Sequence, residues 1–234
     1  PVQYYAPLFG LLHSRKIIAI KVFYTWGKAA QQKHDPSFGR QIAWDIPLLT
    51  GYPYERVETT SADTGSHHFY GIKNPDIVDQ IKAYKPDAVL VIGWAYRGHL
   101  KVLRYFKNKV PVYFRGDSNL LDERSGIRSI LRSLFLRWVY SHVDHAFYVG
   151  GHNMSYFKKY GLKARQLTVA PHAVDNKRFA EDKTAEATKL RAALNVAPDD
   201  ILILFAGKLE EQKSPGLLLD AFLSISKPHV HLLF

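Results

Sequence analysis

The stretch Ile201-Leu-Ile-Leu-Phe-Ala-Gly-Lys-Leu-Glu-Glu-Gln-Lys-Ser-Pro-Gly216 holds a strand, a glycine turn, two cations and the start of a helix. Ile201 to Ala206 is an unbroken apolar run, bounded by Gly207 and too short for an ordinary helix. It reads as a strand buried on both faces, the kind that belongs to parallel sheets. Lys208 and Lys213 follow. Ser214 and Pro215 then stand where an N-cap and a first helical residue belong, ahead of the apolar pattern Leu217, Leu218, Ala221, Phe222. A strand that stops at glycine, and a helix that opens beside two lysines, bring backbone N–H groups and ammonium groups to one point. That arrangement is an anion site, with phosphate as its obvious occupant. An ordinary strand-to-helix turn with two solvated lysines fits the same sixteen residues.

Outward from this stretch, the composition is that of a globular chain: 234 residues, 47% hydrophobic and 13% aromatic, enough for one large core or two smaller ones. A formal net charge of +11 favours anionic partners such as nucleotides, nucleic acid or acidic lipid headgroups. The absence of cysteine excludes disulfides, thiol nucleophiles and thiolate metal sites, and suits a reducing compartment. No apolar run approaches the roughly 20 residues of a membrane span, and no signal peptide opens the chain. These features predict a cytoplasmic protein, with room for peripheral contact on the inner face of a membrane. Pro1 to Phe9 reads as a loop leading into a helix, and Val230 to Phe234 as a strand with no turn after it, so both ends read as those of a fragment.

Taken in order, Leu8–His13 predicts a short helix and Ile17–Tyr24 a strand. Thr25 to Tyr54 reads as a long loop, too aromatic and apolar for disorder. A helix near Pro75–Ala83 leads to a buried strand over 86–93. Next come a helix near His99–Phe106, a strand Val110–Arg115 and the turn Gly116-Asp-Ser-Asn119. The alternation is that of a doubly wound parallel sheet. It continues with a strand His145–Val149, a helix Asn153–Tyr160 and a strand Leu167–Ala170. A short helix over Leu190–Leu194 precedes the opening stretch, so a change of domain is expected between Asp175 and Asp200.

Ile127 to Tyr140 reads as an amphipathic helix with Ile127, Ile130, Leu131, Leu134, Phe135 and Trp138 on one face. Arg128 and Arg132 lie off that face, and Leu136 stands among the polar positions. Two readings fit: a helix that buries its apolar face in the core, or a basic helix that lays Arg128, Arg132 and Leu136 on an anionic membrane.

Together the motifs resemble the family-4 retaining glycosyltransferases of the GT-B fold, built from two Rossmann-like domains. Pro171-His-Ala-Val-Asp175 with Phe179 resembles the family's Pro-Asn-Gly-Val-Asp…Phe interdomain block. Phe205-Ala-Gly-Lys-Leu…Lys213 resembles its Gly-Arg-Leu…Lys donor-phosphate block. Asp35…Phe38-Gly39…Trp44-Asp45-Ile-Pro-Leu-Leu-Thr-Gly-Tyr52 resembles a subgroup acting in surface-polysaccharide and related glycan synthesis. The resemblance implies an α/β fold. Residues 1–175 would form an N-terminal, acceptor-side Rossmann-like domain without its first strand, and 176–234 a linker and the first βαβ of a truncated nucleotide-sugar domain. The family's Glu-x7-Glu donor segment would lie beyond Phe234, leaving these residues inactive on their own.

The implied activity is sugar transfer, with retention, from a nucleotide-diphosphate donor to a glycan or lipid-linked acceptor. Such transfer requires stabilisation of the diphosphate as charge gathers on it. Lys208, Lys213 and the backbone at Gly207 would supply it with no metal and no cofactor, Lys208 replacing the family's usual Arg fork by a point charge. The histidine that many relatives carry after the strand ending at Phe114 is missing; the place reads Arg115-Gly-Asp-Ser118. Asp117 is then a candidate to hydrogen-bond a sugar hydroxyl, or a turn residue. His99, beyond another strand end, is a second candidate catalytic group, and Gln3, Tyr4 and Arg115 are candidates to face the acceptor. Two other readings remain: a nucleic-acid-binding domain, against which the chain shows no zinc spacing, no RNP-type strand and no concentrated basic tract, and a non-catalytic fragment that binds acceptor or membrane.

Overall fold

In the computed structural model, residues 1–27, 34, 35, 40, 41, 46–121, 126–225 and 227–234 are described. Phe38, Gly39, Trp44 and Asp45 of the third family-like block lie outside them. The chain divides into two compact units, one holding the described residues through Val174 apart from Asp35, the other running from Asp175 to Phe234.

In the first unit, apolar runs bounded by glycine or proline become parallel strands, and the segments between them become helices. Helix α1 (Ala6–Arg15) precedes β1 (Val22–Tyr24), which pairs in parallel with β2 (Tyr54–Arg56), Val22 opposite Tyr54. Helix α2 (Ile77–Tyr84) leads to β3 (Val89–Ile92), α3 (Arg97–Phe106) to β4 (Val112–Arg115), α4 (Ile127–Tyr140) to β5 (His145–Tyr148), and α5 (Gly151–Lys159) to β6 (Leu167–Val169). Strands β3 to β6 form one four-stranded parallel sheet in sequence order, with Val89 opposite Val112, Tyr113 opposite His145 and Ala146 opposite Leu167. A parallel sheet must be covered by its crossover helices. Leu103 and Phe106 of α3, Leu136, Val139 and Tyr140 of α4, and Tyr156 and Phe157 of α5 do this, packed with Val112, Phe114 and Ala146 of the sheet. The predicted strand over 17–24 shortens to three residues, and Ile17 and Ile18 stay exposed, because β1 meets only β2.

Asn74 ties together the ends of the two strands of the β1–β2 sheet. Its buried Nδ2 donates to the Thr25 carbonyl past β1 (2.8 Å) and to the Val57 and Glu58 carbonyls past β2 (3.2 and 2.8 Å). Its Oδ1 faces α3, where a Cβ on Gly98 would lie 2.3 Å away, so glycine is what lets the helix approach.

Helix α4 overturns the expected facing. Leu136, placed among the polar and membrane-facing positions, is fully buried, whereas Ile127, Ile130, Leu131 and Leu134 are each more than 60% exposed. The inward stripe runs Ser129, Ser133, Leu136, Tyr140, at spacings of four, three and four residues. Its first two members are serines, so the apolar periodicity of the sequence pointed to the wrong side of the helix.

The second unit begins with α6 (Asn176–Phe179), whose N-cap Asp175 accepts a hydrogen bond from the Arg178 amide (3.3 Å), followed by α7 (Thr184–Ala193). Strand β7 (Ile201–Leu204) pairs in parallel with β8 (Val230–Leu233), Ile201 opposite Val230, with α8 (Pro215–Leu223) in the crossover between them. Ile201 and Leu204 are 60% and 64% exposed, so β7 is not buried on both faces. Among the described strands only β8 pairs with it, which leaves its other edge open.

The inverted facing of α4 is testable by a pair of truncations. Leu136→Ala is expected to lower unfolding free energy by about 2–5 kcal/mol, and Leu131→Ala to change it by less than about 0.5 kcal/mol. Urea denaturation of both variants, with the opposite ranking, would refute the placement.

Candidate functional site

In a parallel sheet every strand delivers its following loop to the same edge, and polar groups collect there. Here that edge is made by Gly93 after β3, Arg115 to Asn119 after β4, Val149 and Gly150 after β5, and Ala170 to His172 after β6. Gly93 turns with φ +73°, a left-handed conformation that glycine adopts freely.

Arg115, the last residue of β4, is 7% exposed. Its guanidinium reaches across the end of β5 to donate to the Ala170 carbonyl (Nη1, 2.6 Å) and the Pro171 carbonyl (Nη2, 3.4 Å) beyond β6. Its Nε donates to the Tyr5 hydroxyl (3.0 Å), with the cation 5.7 Å from that ring's centre. No carboxylate forms an ion pair with it among the described residues. Its hydrogen-bond partners are thus neutral oxygens, and Asp117 is the opposite charge that shares the edge with it.

Tyr4 packs on Tyr5 (ring centres 4.8 Å) and edge-on against His172 (5.4 Å). Burial raises the Tyr4 pKa, with smaller contributions from Tyr5 and the Asp117 charge, so the phenol is a neutral donor at physiological pH. Tyr4, Arg115 and Asp117 are thus brought together at one edge. Gln3 is exposed beside them with no hydrogen bond among the described residues.

Asp117 is exposed, and its loop is fixed from behind by Asn153. The Asn153 Nδ2 donates to the Ser118 carbonyl (2.7 Å) while its Oδ1 accepts from the Val149 amide (3.0 Å). This buried asparagine in the first turn of α5 therefore joins the loops after β4 and β5. Asn74 and Asn153 were both invisible as site residues in the sequence; a lone Asn beside glycines, as in Gly150-Gly-His-Asn153, was the only signal.

His99 lies in the first turn of α3 with both ring nitrogens engaged. Nδ1 donates to the Gly93 carbonyl (2.9 Å), which fixes the tautomer, and Nε2 accepts from the Thr25 hydroxyl (2.8 Å). Burial lowers its pKa and keeps the ring neutral. His99 holds the end of β3 to the end of β1, and neither nitrogen is left to face a substrate.

In the second unit, the loop from Phe205 to Ser214 joins β7 to α8. Pro215 opens the helix as expected, but Ser214 is left-handed (φ 49°) and its side chain does not cap. The loop closes through a short 3₁₀ turn, Glu211–Lys213. Lys213 is exposed and unpaired among the described residues, whereas Lys208 Nζ lies 3.7 Å from Glu210 Oε1, an acidic partner that the sequence reading passed over. A Cβ on Gly207 would meet only ordinary contacts, so this glycine opens the backbone without being sterically required.

Arg128 and Arg132 are exposed on α4, alongside the uncovered Ile127, Ile130, Leu131 and Leu134. No helix among the described residues is long and apolar enough to cross a membrane. One trio with metal-ligand spacing is present among them, Asp63, His67 and His68.

No family model matches the chain. Over 62 residues it is 39% identical to a D-inositol 3-phosphate glycosyltransferase of Geodermatophilus obscurus, a match covering 26% of this chain and 13% of that protein. Its fold matches that of Anabaena HepE, solved in complex with UDP-glucose (TM-score 0.51, 17% identity, 78% of this chain and 46% of that one). The same protein solved with UDP gives a TM-score of 0.51 over 79% of this chain and 49% of that one. The chain thus spans about half the length of the HepE structures. It shares their α/β fold with parallel sheets, and in sequence it is glycosyltransferase-like.

Proposed function

We propose that the chain is part of a retaining, family-4-type glycosyltransferase that transfers a hexosyl group from a nucleoside diphosphate to a glycan or lipid-linked acceptor in polysaccharide synthesis. The observation that carries this reading is the β7–α8 connection. The first turn of α8 has amide donors without intrahelical partners, and an unpaired Lys213 stands immediately before the helix, with Lys208 five residues earlier. A diphosphate leaving group is the substrate part that such a grip fits, because its charge grows as the glycosidic bond breaks. The two ammonium groups and the helix N-terminus supply the counter-charge from the chain itself, and no metal is assigned to this step.

At the other unit's sheet edge, Asp117 is the exposed carboxylate among the described residues of the loop after β4, suited to accept from a sugar hydroxyl. Arg115 supplies positive field for an acidic or phosphorylated acceptor, with the Tyr4 hydroxyl and Gln3 as neutral partners. His99 is assigned a positioning role, since its two nitrogens hold the Gly93 turn and Thr25. The uncovered face of α4, Ile127, Ile130, Leu131 and Leu134 with Arg128 and Arg132 beside it, is assigned to an anionic membrane surface, which suits a lipid-linked acceptor at the inner face of a membrane. Leu136 has no part in that face.

Three measurements test these assignments. In the full-length protein, Lys213→Ala is expected to lower kcat/KM for the nucleotide-sugar donor by about tenfold to a hundredfold, roughly 1.4–2.7 kcal/mol; an unchanged value removes Lys213 from the mechanism. Ile130→Glu/Leu134→Glu is expected to abolish co-sedimentation with vesicles of mixed anionic and neutral lipid, and persistence of binding excludes α4 as the anchor.

For His99, the lowered pKa fixes the sign of a pH effect. The unfolded chain takes up a proton near the ordinary value of about 6.5, whereas the folded His99 refuses it, so folding loses stability as pH falls below that value. By NMR titration the His99 imidazole is expected to titrate below the ordinary histidine value of about 6.5; a midpoint at or above that value contradicts the neutral, positioning role.

A further inference from the structure

The loop between β2 and α2 carries a feature that the transferase reading does not use. At its base Thr59 Oγ1 accepts from the Lys73 amide (2.9 Å) and the Thr60 amide donates to the Lys73 carbonyl (2.9 Å). Inside it, the Thr64 hydroxyl donates to the Ser61 carbonyl (2.9 Å) and the Ser61 hydroxyl to the Asp63 carbonyl (3.0 Å). Backbone bonds from Gly65 to the Gly71 carbonyl (3.2 Å) and from Gly71 to the His68 carbonyl (3.1 Å) close it further. The His67 ring lies so near the backbone that a Cβ on Gly65 would stand 2.3 Å from Nδ1. A larger residue there would push the ring out of its present position. The Tyr96 hydroxyl donates to the Ser66 carbonyl (3.4 Å), tying the loop to the segment after β3.

What this scaffold holds in place is two imidazoles and a carboxylate. Asp63 Oδ2 is 3.1 Å from His67 Nε2 and 3.3 Å from His68 Nε2, and one possible ligand atom from each of the three residues lies within 4.8 Å of the other two. An ion with bonds of about 2.1 Å separates neighbouring ligands by about 3.0 Å in octahedral and about 3.4 Å in tetrahedral geometry. The two Asp63 separations fall in that window. Asp63, like any ordinary aspartate, is anionic at neutral pH. The side chains are 73%, 60% and 34% exposed for Asp63, His67 and His68, which leaves the remaining coordination positions to water or to an incoming oxygen ligand. An exposed His–Asp pair contributes little to stability on its own.

We propose that Asp63, His67 and His68 form a binding site for one divalent transition-metal ion of the zinc class, with His67 Nε2, His68 Nε2 and an Asp63 carboxylate oxygen as its three protein ligands. Two imidazoles with one carboxylate select such an ion over magnesium or calcium, which prefer all-oxygen shells. His67 Nε2 now faces the Asp63 carboxylate and His68 Nε2 the Asp63 backbone carbonyl (3.0 Å); on binding, each ring presents the Nε2 lone pair to the ion and keeps one proton on Nδ1, so a neutral ring changes tautomer and a doubly protonated one releases a proton to solvent. The site is separate from the diphosphate grip and stands whether or not the transferase reading holds.

The test is titration of the metal-free, untagged full-length protein with zinc in competition with a chromophoric chelator. The wild type is expected to bind one zinc in the trio. His67→Gln/His68→Gln is expected to lose that binding and Asp63→Asn to weaken it by tenfold or more, with circular dichroism unchanged. Because the chain has eleven histidines, His13→Gln/His152→Gln serves as the control and is expected to leave the affinity unchanged. Equal zinc affinity in the wild type and His67→Gln/His68→Gln overturns the proposal, as does magnesium binding as tight as zinc. Should that double variant fail to fold, the wild type decides alone: zinc is expected to shift the imidazole NMR signals of His67 and His68 at one equivalent, and unshifted signals overturn the site.

Discussion

A buried guanidinium without a carboxylate partner is the constraint on which the sheet edge depends. Burying an arginine at 7% exposure is costly unless its donors are satisfied, and three of them are, by the Tyr5 hydroxyl and the Ala170 and Pro171 carbonyls. Those partners come from the segment before α1 and the segment after β6, so one side chain at the end of β4 fixes where both lie. The aromatic set Tyr4, Tyr5 and His172 packs around the same point. Neutral oxygens hold it, and no ion pair takes up its charge among the described residues. The same interaction thus organises the edge and sets a cation within it.

The loops at that edge are held by amides rather than by ion pairs. Asn74 gathers the ends of β1 and β2, Asn153 joins the loops after β4 and β5, and His99 joins the Gly93 turn to Thr25. Asparagine suits this task because its short amide reaches backbone groups in loops that have no strand partner: Asn153 both donates and accepts, and Asn74 donates through Nδ2 alone. Neutral connectors also leave the electrostatics of the edge to the charged residues, Arg115 and Asp117. Positioning and charge are thus assigned to different side chains.

The sheet was legible in the sequence because parallel strands are short apolar runs with punctuation at both ends, and 86–93, 110–115, 145–149 and 167–170 each contain the strand observed. Two features were not. The face of α4 was misread because its inward stripe begins with Ser129 and Ser133, so apolar periodicity marked the exposed side; burial is decided by what lies opposite, which a single helix does not record. Strand β7 was read as doubly buried from composition, but its environment depends on neighbours in the sheet, and among the described strands only β8 pairs with it. Site residues split the same way. Charged candidates such as Arg115 and Asp117 announce themselves by residue type at a strand end, whereas Asn74 and Asn153 act through backbone groups distant in sequence.

The β7–α8 loop shows how two lysines five residues apart come to play different parts. Lys208 lies within 3.7 Å of Glu210, so part of its field is spent inside the loop, while Lys213 stands exposed next to the first turn of α8. Exposed ammonium groups are screened by water and salt, and a single one gives weak anion affinity. Helix amides add directional donors that water screens less, and they do so only where the chain turns into the helix. Ser214 makes that turn in a left-handed conformation without capping, which leaves the amides after Pro215 unclaimed by its side chain. An anion at this point would meet Lys213 and the helix N-terminus together, and the pairing of Lys208 with Glu210 makes Lys208 the weaker contributor until the anion displaces the carboxylate.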